Sequence, residues 1–196
     1  MGEMIKMVVV LTILSVISGA SLAMVTETTA PQIELNRLQF VKGPAIKEIL
    51  KGTSNDPIVD RFKINVGEAE RNFFVGVFDG KANSVAFEGS GKGFGGEVGI
   101  VVGVDLDTDK IIGVGVTTHS ETPGVGSRAK TDPSFAAQFR GKPFTPDFKV
   151  KSDGGDVDAI GGATITSRAV ASGVAEAARM YKELKPQIVE QAKSFK

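Results

Sequence analysis

Three hydroxyl side chains, those of Thr164, Thr166 and Ser167, follow a Gly-Gly pair at the start of a predicted helix. Apolar residues at helical spacing indicate the helix: Ile165, Val170, Val174, Ala177, Tyr181 and Leu184. The unpaired N–H groups and the dipole of a helix N-terminus favour an anion such as phosphate, and glycines let the backbone approach it closely. Alternatively, Thr164 or Thr166 only caps the helix. The spacing alone leaves both interpretations open.

A second stretch with chemical potential is His119–Gly126, which reads His-Ser-Glu-Thr-Pro-Gly-Val-Gly. Proline keeps the preceding Thr122 extended, and Pro123-Gly124 suits the two central positions of a type II turn. We therefore expect a stiff loop whose backbone and Thr122 hydroxyl border a flat ligand. Because the chain has one histidine and no cysteine, no metal site is predicted, and His119 is expected to be structural.

The first of these stretches resembles a motif of the FMN-binding domain family. Asp158–Thr164, Asp-Ala-Ile-Gly-Gly-Ala-Thr, is similar to that family's flavinylation motif, Asp-x-x-(Ser/Thr)-Gly-Ala-Thr. In the family, a dedicated flavin transferase joins FMN to the last threonine through a phosphoester bond. The resemblance implies that Thr164 is the acceptor. Gly161 stands where the family usually has serine or threonine.

The loop carries a second resemblance to the same family, whose members have His-x-Glu-Thr-Pro-Gly-Leu-Gly packed along the isoalloxazine ring. The implied ring contacts are Thr122 and Val125, with Val125 replacing the usual leucine. Together the two motifs imply a set of cofactor-binding residues, namely Thr122, Gly124, Val125, Gly161, Gly162, Ala163 and Thr166. The glycine-rich Gly91–Gly96 is not a phosphate loop because it enters a strand, and we interpret it as a bulged or closely approached strand start. The family has a similar glycine-rich entry beside its flavin.

The overall composition excludes several classes of protein. With 23 basic and 23 acidic residues there is no field that would attract nucleic acid. The absence of cysteine excludes disulfides, Fe–S clusters and thiolate metal sites. No pair of carboxylates and no Ser/His/Asp set has a spacing that demands hydrolysis. A length of 196 residues, 41% of them hydrophobic, suffices for one domain with a real core.

The N-terminal segment predicts a membrane anchor. Met7–Val25 is an uncharged run of 19 residues, just long enough for a spanning helix. Lys6 before it and Glu27 after it give a positive-inside signal that leaves the rest of the chain outside the cytoplasm. A cleaved signal peptide is the alternative, because Ser21-Leu22-Ala23 resembles a cleavage site. We predict an anchor over residues 1–28 and an extracytoplasmic FMN-binding domain over residues 29–196.

The predicted fold class is α+β, an antiparallel sheet with packed helices behind one N-terminal transmembrane helix. Thr26–Pro31 is expected to be a linker and Ile33–Phe40 one or two helical turns. Pro44–Lys51 and a segment starting at Asp132 are predicted to be short helices. Strands are predicted over 61–66, 72–79, 83–88, 91–106 and 112–116, with a tight turn at Asp79-Gly80, the last two strands forming a hairpin with one buried face, and a final strand at Lys149-Val150. The carboxylates of Asp153 and Asp156 are interpreted as solvated.

The layout of anchor and flavin domain resembles that of the flavin subunits of Rnf-type ion-translocating complexes and of the sodium-translocating NADH:quinone oxidoreductase. The resemblance implies an electron-carrying subunit with covalent FMN, without substrate turnover of its own. Its partners would be the other membrane subunits and, during maturation, the flavin transferase. The residues alone leave two alternatives open. One is a stand-alone anchored electron shuttle that feeds an extracytoplasmic reductase, and the other is a non-redox binding or scaffold module.

Overall fold

The computed structural model describes residues 2–67 and 69–195 and separates the chain into two compact units, one up to Leu38 and one from Gln39 onward. The first unit contains helix α1, Gly2–Asn36. None of its side chains is buried, and its most apolar window has a mean hydropathy of 2.4. By length and composition α1 could cross a membrane, as the sequence predicts.

The linker predicted at Thr26–Pro31 is wrong, because α1 continues through it and is followed by π-helical turns over Arg37–Lys42. The hydroxyls of Thr26, Thr28 and Thr29 donate to carbonyls four residues earlier at 2.7–2.9 Å, so these polar side chains are satisfied within the helix. Pro31 also lies inside α1. The domain boundary after residue 28 stays a prediction.

A five-stranded antiparallel sheet dominates the second unit, which confirms the α+β prediction. The strands pair in sequence order and are β1 (Arg61–Val66), β2 (Ala69–Phe78), β3 (Lys81–Lys92), β4 (Glu97–Asp105) and β5 (Lys110–Thr118). Asp79 and Gly80 join β2 to β3 with φ values of 51° and 73°, the left-handed pair that a tight hairpin requires.

The helices of the second unit pack on this sheet or follow it. They are α2 (Gly43–Ile49), α3 (Arg128–Thr131), α4 (Pro133–Ala137) and α5 (Thr164–Ala192), with a short 3₁₀ turn at Lys151–Asp153. One face of the sheet meets α5 in the main core, where alternate residues of β4 join the predicted apolar face of the helix. Ile165 is the exception, because its side chain is 45% exposed.

The β4–β5 hairpin has two covered faces, whereas a single buried face was predicted. Helix α2 lies on the side opposite α5, where a Cβ added to Gly113 would be 3.4 Å from Ile49, and one added to Gly115 3.2 Å from Ala45. Val101, which points to this side, is fully buried. Glycines therefore make room here for a closely packed helix, and the sequence of the strand alone does not reveal this role.

Two predicted strands differ from those observed. The long strand over 91–106 is divided, because β3 ends at Lys92 and β4 begins at Glu97, with the glycines between them forming a turn. The strand at Lys149-Val150 is absent among the described residues, where Val150 makes only an isolated parallel bridge to Val157. The short helix predicted at Asp132 is α4, capped by the Asp132 carboxylate, which accepts from the Ser134 N–H at 3.0 Å.

Candidate functional site

The loop after β5 and the start of α5 meet at a cleft of about 370 Å³. Ten residues line it: Phe94, Glu121, Thr122, Val125, Gly126, Gly162, Ala163, Thr164, Ile165 and Thr166. Six of the predicted site residues are in this set, and they come from both motifs. Gly124 and Gly161 are not in the lining, although each neighbours residues that are. The fold thus brings the two sequence motifs to one place.

The loop wall of the cleft is a tight turn at Pro123-Gly124. The Thr122 carbonyl accepts from the Val125 N–H at 3.2 Å, and Gly124 has φ of +74°, as expected at the third position of a type II turn. The Ser127 hydroxyl accepts from the Gly124 N–H at 2.8 Å and fixes the turn. The result is a stiff loop that leaves the Val125 side chain 42% exposed at the cleft.

The opposite wall is the first turn of α5, where the simple capping interpretation is wrong. The N-cap is Ala163, and no side chain caps the helix. The Thr166 hydroxyl donates instead to the Glu121 carboxylate. The Ser167 hydroxyl accepts from the Ile160 N–H at 2.9 Å and donates to the Ala163 carbonyl at 3.0 Å. Two of the three hydroxyls therefore stabilise the fold, whereas that of Thr164 stands half-buried in the cleft wall at the helix N-terminus.

The two glycines before α5 have different roles. Gly162 has φ of +80°, which other residues rarely adopt, and a Cβ added there would lie 3.9 Å from Val125 Cγ1. This conformation brings the motif against the loop. An added Cβ at Gly161 would meet nothing within 4 Å. A serine or threonine would find space there, so the departure from the family motif at this position changes no packing.

Glu121 and Phe94 belong to the cleft but were given no role from the sequence. Glu121 is only 6% exposed, and its Oε1 accepts from the Gly95 N–H at 2.8 Å while its Oε2 accepts from Thr166. Phe94 is 74% exposed at the tip of the glycine-rich turn. The sequence contained a signal for each of these two residues. Glu121 lies within the loop motif, and Phe94 is the one apolar side chain within the glycine-rich Gly91–Gly96.

His119 has a structural contact, since its Nδ1 accepts from the Glu121 N–H at 3.3 Å. No cluster of three or more His, Cys, Asp or Glu side chains that could hold a metal ion occurs within residues 2–67 and 69–195.

Charges next to the first turn of α5 are paired. Asp153 is exposed, in agreement with its interpretation as solvated, but the Arg168 guanidinium also donates to both of its oxygens, at 2.6 and 2.7 Å. This hydrogen bonding holds the pKa of Asp153 below its usual value. Lys151 pairs with Asp158 at 2.8 Å. Arg168 and Lys151 are therefore already paired with carboxylates, and an anion at the cleft would be held by the helix N-terminus.

The chemistry of the cleft suits a flat, amphipathic ligand with a phosphate. Three partly exposed apolar side chains, Phe94, Val125 and Ile165, border it and could cover an aromatic ring. Thr164 places a hydroxyl at the N-terminus of α5, where the free N–H groups of the first turn favour a phosphate. The volume lies in the usual range of small-ligand sites. FMN has both parts, a tricyclic ring and a phosphate, and these residues fit it.

Comparison with known proteins agrees with this fit. Residues 93–179 match the family described as FMN-binding domain. The G subunit of an ion-translocating oxidoreductase complex from Methanosarcina acetivorans is 34% identical over 86% of this chain and 89% of its own length. The G subunit of a proton-translocating ferredoxin:NAD(+) oxidoreductase complex from Clostridium ljungdahlii is 32% identical over 85% of each chain.

A solved structure has a similar fold. The crystal structure of the C subunit of the Na(+)-translocating NADH-quinone reductase from Parabacteroides distasonis superposes with a TM-score of 0.52 at 30% identity. The match covers 60% of this chain and 64% of that one, slightly under two thirds of the neighbour's length. The family match includes the glycine-rich turn, the loop, the Thr164 motif and the first half of α5.

Proposed function

This chain belongs to the FMN-binding domain family, in the group formed by the G subunits of ion-translocating oxidoreductase complexes, and we propose that it carries electrons in such a complex through FMN bound covalently to Thr164. One observation supports the attachment site above all. Thr164 and Thr166 both line the cleft, but the Thr166 hydroxyl donates to Glu121 and the Ser167 hydroxyl donates to the Ala163 carbonyl, whereas the Thr164 hydroxyl makes no hydrogen bond within residues 2–67 and 69–195. A flavin transferase would act on this hydroxyl during maturation.

Each wall of the cleft then has a function. The Thr164 hydroxyl oxygen joins the phosphorus of FMN in a phosphoester, with the net loss of one water relative to the separate molecules. The first N–H groups of α5 would hold this phosphate and stabilise its charge. Val125 and Ile165 would cover the ring and keep water from part of it. Bound flavin supplies the redox chemistry, and the protein holds and shields it without turning over a substrate.

The apolar N-terminal helix supports a location at a membrane. Helix α1 would anchor the chain beside the other membrane subunits of the complex, with the FMN domain outside the cytoplasm. A covalent bond suits that location, because a flavin lost outside the cytoplasm could not be replaced there. The charge balance of the chain leaves no role for nucleic acid.

Thr164→Val is the direct test of the proposed attachment. Valine keeps the β-branched shape at the first position of α5 but has no hydroxyl, so no phosphoester can form. We expect a folded, membrane-inserted protein without covalent FMN and without electron transfer through this subunit. The measurements are intact mass, in which wild type exceeds its encoded mass by one FMN less one water, and flavin fluorescence in a denaturing gel.

The matched control is Thr166→Val, which removes a hydroxyl two residues further along the helix. Because Thr166 donates to Glu121 and does not supply the proposed nucleophile, the fluorescent band should remain. A band that survives in Thr164→Val and disappears in Thr166→Val would show that the wrong threonine has been assigned. If wild type made together with the flavin transferase carries no flavin, the proposed function is wrong.

A further inference from the structure

Three separate segments of the chain meet at the Glu121 carboxyl group. Its Oε1 accepts from the Gly95 N–H of the glycine-rich turn at 2.8 Å. Its Oε2 accepts from the Thr166 hydroxyl in the first turn of α5. Glu121 itself belongs to the loop after β5, where its own N–H donates to His119. One buried side chain thus connects the three segments that supply the walls of the cleft.

The space around this carboxyl group is closely fitted. A Cβ added to Gly93 would lie 2.5 Å from Glu121 Oε1, and one added to Gly126 would lie 2.7 Å from Glu121 Cβ and 2.8 Å from the Thr166 hydroxyl. Real Cβ atoms do not approach other atoms so closely, so a side chain at either position would have to displace Glu121 or a side chain beside it. Contact with Glu121 therefore contributes to the need for glycine at these two positions beside the cleft.

We propose that Glu121 is the positioning residue of the cleft, which holds the glycine-rich turn, the loop and the start of α5 at a fixed spacing. Phe94 lies on the first segment, Val125 on the second and Thr164 on the third. Without the carboxyl group the Gly95 N–H loses its acceptor and the turn carrying Phe94 is released. The flavin-related part of this inference rests on the proposed function, but the connection itself does not.

The test compares Glu121→Ala with Glu121→Gln in the full-length chain in detergent micelles, made without a flavin transferase. Alanine removes both acceptors. Glutamine keeps the shape: its carbonyl accepts from Gly95, and its NH₂ donates to the Thr166 oxygen. Amide exchange at Gly95, measured by NMR, should be about tenfold faster or more in Glu121→Ala and close to wild type in Glu121→Gln. The Val102 amide in the middle of β4 reports global opening and should remain far more protected than Gly95 in every variant, which shows that the faster exchange at Gly95 is local opening.

A second pair of variants keeps the test decisive if Glu121→Ala does not fold. Thr166→Val breaks the connection on the side of α5, whereas Thr166→Ser retains the hydroxyl. In chains loaded with flavin, the neutral quencher acrylamide should reach the flavin more readily in Thr166→Val than in Thr166→Ser or wild type.

The results separate this inference from the proposed function. Faster exchange at Gly95 in Glu121→Ala, restored by glutamine, supports the positioning role even if no flavin is ever attached. Exchange at Gly95 in folded Glu121→Ala within twofold of wild type would overturn it, even if Thr164 carries FMN. If Glu121→Ala is unfolded, equal quenching in Thr166→Val and Thr166→Ser would overturn it as well.

Discussion

At the scale of single residues, Val125 gives the most direct access to the electronic environment of the site. Its side chain is exposed at the cleft and faces the Gly162 turn. Val125→Asp places a negative charge there without touching the Thr164 hydroxyl. Because that charge disfavours the addition of electrons, FMN should remain attached while its midpoint potential falls and its absorbance changes. Potentiometric titration of the purified variant measures both effects.

A matched control for this change is Val59→Asp. Val59 is 72% exposed in the loop before β1 and does not line the cleft. The Val59→Asp variant makes the same substitution away from the flavin, so its midpoint potential and spectrum should equal those of wild type. A potential in Val125→Asp that matches Val59→Asp would remove the Pro123-Gly124 loop from the flavin site.

What the sequence could and could not predict about the site is clear from two of its residues. Thr164 could be proposed from the sequence, because the family resemblance that assigns it rests on the local Gly-Gly-Ala-Thr pattern. Glu121 received no role, because its importance depends on partners 26 and 45 positions away, the Gly95 N–H and the Thr166 hydroxyl. A capping role for the threonines was equally compatible with the local pattern, and only the contact with Glu121 excludes it for Thr166.

At the scale of elements, the turn between β4 and β5 is joined to α5 by one aspartate. The Tyr181 hydroxyl donates to Asp109 Oδ1 at 2.7 Å and Lys185 Nζ lies 2.6 Å from Oδ2. Burial opposes ionisation of Asp109, but the hydrogen bonds from Lys185 and Tyr181 and the Lys185 charge outweigh it and hold the pKa of Asp109 below its usual 3.8. Burial and the contact with Asp109 raise the pKa of Tyr181, which therefore stays a donor.

This contact predicts a pH-dependent stability. A lowered aspartate pKa contributes stability that is present above 3.8 and is lost as the pH falls through the folded-state value. Asp109→Asn should unfold about 2–4 °C lower than wild type at pH 7, for a loss of up to about 1 kcal/mol from a half-exposed ion pair. The difference should shrink as the pH falls below 3.8 and vanish below the folded-state pKa of Asp109. Asparagine is suitable because Asp109 has φ of +54°, which asparagine tolerates.

Asp107→Asn is the control, since Asp107 is an exposed carboxylate in the same turn and makes no ion pair among the described residues. Its thermal unfolding should follow wild type at pH 7 and throughout a series of lower pH values, as monitored by circular dichroism of the full chain in detergent. A difference between Asp109→Asn and wild type that does not shrink as the pH falls below 3.8 would mean that the charge of Asp109 is not what stabilises the turn.

The sequence predicted the strands of the domain better than it predicted which elements pack against them. Strand alternation at Val98, Ile100 and Val102 directly reports a buried face, and this face is observed. The second covered face was not predicted, because Gly113 and Gly115 look like weak strand residues until α2 is placed above them. The end of α1 was misjudged for a related reason: threonine and proline favour loops in general, but here the hydroxyls bond to the preceding turn of the helix.

At the scale of the whole molecule, α1 is longer than a membrane requires. Its 35 residues extend about 50 Å, compared with a hydrocarbon core of about 30 Å. Its polar C-terminal part, from Thr26 to Asn36, therefore fits a position beyond the apolar layer. An anchor of this kind would keep the electron carrier attached to the membrane.

The orientation of that anchor is the last prediction. Lys6 is the only basic residue before the apolar run, and positive charge stays on the cytoplasmic side, so the chain from Thr26 onward should be extracytoplasmic. Trypsin added to intact spheroplasts should then cleave after exposed residues such as Arg37 and remove the domain, while a cytoplasmic marker protein stays whole. Full protection that ends only on lysis would reverse the orientation. A mature chain that starts near Met24 would instead show that the N-terminal segment is a cleaved signal, leaving the domain outside but without its anchor.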